Sequence, residues 1–186
     1  MNIDKFWELI EQCKNAEYPE HALMDLLGAL SIEEVVMFDQ HFTRMESYAS
    51  REDIWGAAYL LNRGCGDDEF IDFIRGLISK GRSVYERALK NPDSLQTLWG
   101  QGHIDNESFG WVARKAYAKK MGVSTIEAID ALFSHNDAAE TPDIYIDGVL
   151  YEEPEVEPWD FEDEAENRKR LPGLSSLYYG IHSVSA

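Results

Sequence analysis

Along roughly the first 135 residues, apolar side chains return every three or four positions, the spacing that keeps one face of a helix out of water. Phe6, Trp7, Leu9, Ile10 and Cys13 predict a first helix over about Asp4–Asn15, with Asp4 as its cap and Tyr18-Pro19 as its stop. A short second helix covers about Glu20–Leu27 and ends near Gly28. Ser31-Ile32-Glu33-Glu34 has the form of a capping box, in which hydroxyl and carboxylate satisfy orphan amides reciprocally. It opens a third helix with Val35, Phe38, Phe42, Met45, Tyr48 and Ala49 on one face. The fourth, about Arg51–Leu61, is apolar all round, as a helix at the centre of a bundle is.

Two glycines in Asn62-Arg63-Gly64-Cys65-Gly66 break that pattern, and Asp67 is the expected cap of a fifth helix. Phe70, Phe73, Ile74, Leu77 and Ile78 form its inner face, and Gly81 ends it. Val84, Tyr85, Ala88 and Leu89 mark a sixth helix, stopped by Asn91-Pro92, before a short segment through Leu95, Leu98 and Trp99. A longer helix spans Glu107–Met121, with Gly122 suited to a left-handed C-terminal position. A second capping box, Ser124-Thr125-Ile126-Glu127, opens the last helix, through Ile129, Leu132 and Phe133. Asp147-Gly148, between Ile144-Tyr145-Ile146 and Val149-Leu150-Tyr151, predicts a small β-hairpin. The expected fold is all-α: a bundle of about seven to eight helices over 1–136, then a hairpin-containing extension over 137–186.

Charge changes the picture after residue 136. The chain has 17 Lys and Arg against 35 Asp and Glu, a formal charge of -18. Thirteen of those acidic residues, and no Lys or Arg, fall within 137–167, so one stretch carries most of the net charge. Glu152-Glu153-Pro154-Glu155-Val156-Glu157-Pro158 has too many repelling carboxylates and prolines to fold alone. After Arg168-Lys169-Arg170 the chain turns apolar again, so the extension is expected to pack back on the domain through 171–181 as an acidic strap. Glu152, Glu153, Glu155, Glu157, Asp160, Glu162 and Asp163 then form a surface for a basic protein partner. The same balance argues against binding nucleic acid or an anionic membrane. No run of about 18 apolar residues suggests a transmembrane helix. The first residues lack the basic start of a signal peptide, so the expected location is cytoplasmic, with Cys13 and Cys65 reduced.

Candidate chemistry is sparse. The five histidines are scattered, no Cys-x-x-Cys occurs, and neither a metal nor a cofactor is expected. The densest polar cluster is Gly66-Asp67-Asp68-Glu69-Phe70. Two carboxylates there could hold a cation or work as acid and base, but acidic residues in a first helical turn also answer the helix dipole and its free amides. The letters resemble the Gly-Gly-Asp-Glu-Phe signature of diguanylate cyclases, but that motif sits on a hairpin in an α/β fold, whereas these flanks are helical. Arg75, two turns on, suits a salt bridge to a neighbouring helix, and Trp55 and Tyr59 form an aromatic stripe that suits the core. His41 reads as a rim histidine. His103 lies in a two-glycine loop with no Ser or Cys elbow beside it. The leading expectation is a non-catalytic, acidic protein-interaction domain, such as an immunity or inhibitor protein for a basic, nuclease-like toxin, or a nucleic-acid mimic. The alternative is a small enzyme or ligand-binding domain with a carboxylate site at the 64–68 loop, lined by Trp55, Tyr59, Asp67, Asp68 and Arg75.

Trp55-Gly56-Ala57-Ala58-Tyr59-Leu60-Leu61, Gly64-Cys65-Gly66-Asp67-Asp68-Glu69-Phe70, Phe73-Ile74-Arg75, Gly81-Arg82 and Pro92-Asp93-Ser94-Leu95 together resemble a bacterial family of uncharacterised domains that occur alone or beside WGR-type modules. Phe6-Trp7-Glu8-Leu9-Ile10, the segment 113–117 and Arg170-Leu171-Pro172-Gly173-Leu174 extend the resemblance over most of the chain. The family pattern tends to place Ser where this chain has Gly66. The resemblance implies a mostly helical, stand-alone domain and brings no activity with it.

Overall fold

The computed structural model describes residues 1–138 and 144–182, and among them helices supply nearly all regular structure. Helix α1 (Ile3–Cys13) starts earlier than its apolar pattern suggests because Asn2, not Asp4, is the cap: its side chain accepts the Lys5 amide at 2.9 Å. Asp4 instead reaches Arg82 at 2.7 Å. Helix α2 (Pro19–Ala29) has its proline in the first turn, where no amide is missed. Both capping boxes form, Ser31–Glu34 opening α3 (Ile32–Ala49) and Ser124–Glu127 opening α9 (Thr125–Ala138).

Helix α4 (Glu52–Asn62) ends on Arg63, held at φ 63. Helix α5 (Asp67–Ser79) corrects a second cap. Gly66 is the capping position, Glu69 accepts its amide at 2.8 Å, and Asp67 is simply the first helical residue, exposed to water. Helix α6 (Arg82–Lys90) follows Gly81, and a 3-10 helix runs over Pro92–Leu98.

The helix count also needs correction: eleven α-helices and the 3-10 helix occur among the described residues, not seven to eight. Part of the excess comes from Glu107–Met121, which divides into α7 (Glu107–Gly110) and α8 (Val112–Met121). Close packing marks that break, since a Cβ at Gly110 would lie 2.4 Å from the Arg75 guanidinium Nε. The remainder comes from the tail, where α10 (Glu164–Arg170) and α11 (Pro172–His182) form.

Phe6, Phe38, Phe73, Tyr85 and Phe109 are fully buried, and Tyr85 donates its hydroxyl to the Met45 carbonyl at 2.6 Å. Helix α3 lies among α1, α5, α8 and α9, while α4, α6 and α11 surround the 3-10 helix. The hairpin pairs β1 (Tyr145–Ile146) with β2 (Val149–Leu150), Tyr145 opposite Leu150. Its turn puts Asp147 at φ 52 and Gly148 at φ 78, the left-handed pair that Asp-Gly tolerates best. Of the acidic stretch, Glu140 and Asp143 lie outside the described residues. No helix of the described residues is long and apolar enough to cross a membrane.

Candidate functional site

The five residues read as a possible site at the 64–68 loop fall into three environments. Asp67 and Asp68 stand exposed at the start of α5. Arg75 turns away from them and binds Glu46 of α3 at 2.8 Å and Asp72 of its own helix at 3.2 Å, with Trp111 5.7 Å from its guanidinium. Trp55 and Tyr59 face the tail. Trp55 stacks on Phe70 with ring centres 5.1 Å apart and donates its indole N–H to the Cys65 carbonyl at 2.8 Å, while Tyr59 packs on Phe161. Burial raises the Asp72 carboxyl above its ordinary range; Arg75 opposes that rise, and Glu107 and Asp105 add to it.

Other polar clusters are locked by partners of their own. His103 places one ring nitrogen 3.2 Å from Asp105 and the other 3.2 Å from the Asn62 backbone carbonyl oxygen, so both nitrogens already have partners. Asn62 in turn spans the Ile104 amide and carbonyl at 3.0 Å each. The pocket beside them, about 240 Å³, is walled by Arg63, Trp99 and His103. A larger cleft of about 460 Å³ lies between α1, α6 and the hairpin, over Trp7 and Ile146, but its charges are mostly paired, Arg82 with Asp4 and Glu86, Lys90 with Asp147. Burial pushes the Cys13 thiol up to about 11 and the Cys65 thiol to about 12, which favours the protonated form of both at neutral pH. Among the described residues no group of three or more His, Cys, Asp or Glu side chains is placed to hold a metal ion.

The tail is built differently. Arg51, buried between α3 and α4, grips Asp53 through two bonds, the Leu89 carbonyl at 3.1 Å and the Tyr151 hydroxyl, and so pins the start of the strap. Residues 152–158 then run on without helix or strand. Trp159 lands on α4 where Gly56 leaves room: a Cβ there would lie 2.3 Å from the indole. Phe161 follows it onto Trp55 and Tyr59.

Asn167, completely buried, ties the turn together. Its carbonyl oxygen accepts the Trp159 indole N–H at 2.8 Å, and its amide donates to the Phe161 carbonyl at 2.7 Å and the Tyr179 hydroxyl at 2.9 Å. Asp93 accepts the Gly173 and Leu174 amides at 2.9 and 2.8 Å, capping α11 from across the fold. Between these anchors Glu152, Glu153, Glu155, Glu157, Asp160, Glu162 and Asp163 are all exposed, and none takes part in an ion pair among the described residues. Gly56, Asp93 and Asn167 escaped the sequence reading as positioning residues. An isolated glycine inside an apolar helix was the available signal for the first.

Searches of curated proteins and of solved structures returned no match to this chain. A family model does match, over residues 1–119, which takes in every helix from α1 to α7 and most of α8. The chain therefore belongs to the family described as proteins of unknown function, DUF4240.

Proposed function

We propose that this protein is a non-catalytic interaction domain that presents its acidic strap to a basic protein partner, in the manner of an immunity or inhibitor protein facing a nuclease-like toxin. The observation that carries this reading is the display of seven exposed carboxylates, four between the Tyr151 and Trp159 anchors and three between Trp159 and α10, none of which takes part in an ion pair among the described residues. A flexible acidic tail would lose conformational entropy on binding; a strap already held in place loses less. Complementary fields then speed association and select partners of opposite sign.

An oligolysine peptide is a suitable probe. Converting the seven strap carboxylates to amides is expected to weaken its binding about tenfold or more, and the wild-type affinity should fall as salt is added. The control neutralises an equal number elsewhere: Glu17, Glu20, Asp25, Glu33, Glu52, Glu107 and Asp130. Equal losses in both variants would show that net charge alone matters, and the reading would fall.

A further inference from the structure

The strap does not start from a bare surface. Ile144 and Ile146 turn inward and are buried, while Tyr145 and Leu150, paired across the ladder, face outward at 54% and 42% exposure. Val149, at the tip, is exposed as well. Tyr151 turns inward onto Tyr48 and Arg51, and Glu152, Glu153 and Glu155 follow it, so the exposed Tyr145 and Leu150 stand at the head of the row of unpaired carboxylates. Stable interfaces have this anatomy, with an apolar centre and a charged rim.

We propose that the outer face of the hairpin and the strap form one docking surface, and that its occupant is a basic amphipathic segment of the partner, in which Lys or Arg alternate with apolar residues. This rests on the reading of the strap as the contact with a basic protein, and it names where the apolar part of that contact sits. The chemistry follows from the two halves. The carboxylates attract cations through a field that salt screens, whereas burial of Tyr145 and Leu150 needs apolar atoms and is insensitive to salt. A second group of exposed apolar side chains, Ile126 and Phe133 on α9, makes a useful contrast. Its charged neighbours are mixed in sign, with the Arg114 guanidinium of α8 5.9 Å from the Phe133 ring and Glu127 and Asp130 on α9 itself, so it lacks the one-sided field that would draw a cationic segment.

The test compares two probes on the full chain: a short amphipathic Lys/Leu peptide and an oligolysine of equal charge. The Lys/Leu peptide is expected to bind about tenfold tighter, and to keep that advantage at high salt. Tyr145→Ser with Leu150→Ser should abolish the advantage while leaving oligolysine binding unchanged. Tyr145→Phe with Leu150→Met, which preserves apolar area, should keep it, and Ile126→Ser with Phe133→Ser should not affect it. Equal affinity for the two probes, or an advantage that survives the hairpin serines, overturns the docking surface. If the strap amides leave both affinities unchanged, it is the reading of the strap itself that fails.

Discussion

Residues 152–157 and 162–166 each hold four acidic side chains, yet the first run forms neither helix nor strand and the second turns into the start of α10. The difference lies downstream. Arg168, Lys169 and Arg170 fall one helical turn after Glu164 and Glu166, and the pairs form: Glu164 with Arg168 at 2.6 Å, Glu166 with Lys169 at 3.2 Å and with Arg170 at 2.9 Å. Asp163 caps the helix through the Ala165 and Glu166 amides. Residues 152–157 have no cation within a turn, and Pro154 and Pro158 forbid the helix that would bring one. Acidic composition therefore does not say which carboxylates face outward unpaired. Internal neutralisation does, and it removes Glu164 and Glu166 from the surface offered to a partner.

The comparison depends on the tail being fastened, and the strongest fastening is Trp159 on Gly56. Trp159→Ala is expected to cost about 2–3 kcal/mol, below the full penalty for a core Trp because the ring is only half-buried. Gly56→Ala is expected to cost about 2 kcal/mol, since its new Cβ would overlap the indole. The double variant should lose much less than the sum, because without the indole the alanine has nothing to strike. Urea unfolding of the four proteins gives the cycle; additive losses would mean that the two residues do not meet as described.

A second fastening is Asp93. Asp93→Ala leaves two amides of α11 without an acceptor and is expected to cost about 1–2 kcal/mol, with faster amide hydrogen exchange at Gly173 and Leu174. Asp93→Asn should recover part of this through its remaining carbonyl oxygen. Exchange that is unchanged in Asp93→Ala would place the cap of α11 elsewhere.

These fastenings mark the limit of what could be read from the chain. Local rules were legible: the two capping boxes, Gly122 in the left-handed region at φ 68 and the Asp147-Gly148 turn all depend on residues within four positions of one another. Asp93 and Gly173 lie 80 residues apart, and Gly56 and Trp159 farther still, so no periodicity announces them. Helix α10 escaped for the opposite reason. Its cap and ion pairs are local, but counting acids over a long window averages away the three cations that fold it. The loop at 64–68 looked reactive because a first-turn cluster of carboxylates resembles a site in one dimension. In three, Arg75 is drawn aside by Glu46, which only the packing of α3 against α5 brings near.

A smaller effect sharpens the contrast between the two acidic runs. Lys169→Gln removes the exposed pair with Glu166, and the expected loss is about 0.5 kcal/mol or less, confined to α10. Hydrogen exchange resolved by residue would show α10 fraying while residues 152–157 and α11 stay as they were. A loss spreading through α11 would mean that α10 holds the tail and not merely itself.

Acid offers the gentlest version of the same test. The hydrogen bond from Arg170 holds the Glu166 carboxyl below the ordinary carboxylate range, with Lys169 adding to the effect. A carboxyl lowered in the folded state supports the structure above its unfolded pKa, about 4.3 for Glu, and loses that support as the pH falls through the lower folded value. Titrating downward through that window, amide signals of α10 are expected to report fraying as Glu166 gains its proton. Residues 152–155 take part in no ion pair among the described residues, so their backbone has no reason to follow; only Glu157, whose carbonyl accepts from Arg170 at 3.2 Å, is tied to α10. If both runs changed together at the same pH, they would be one cooperative unit, and internal neutralisation would not be what separates them.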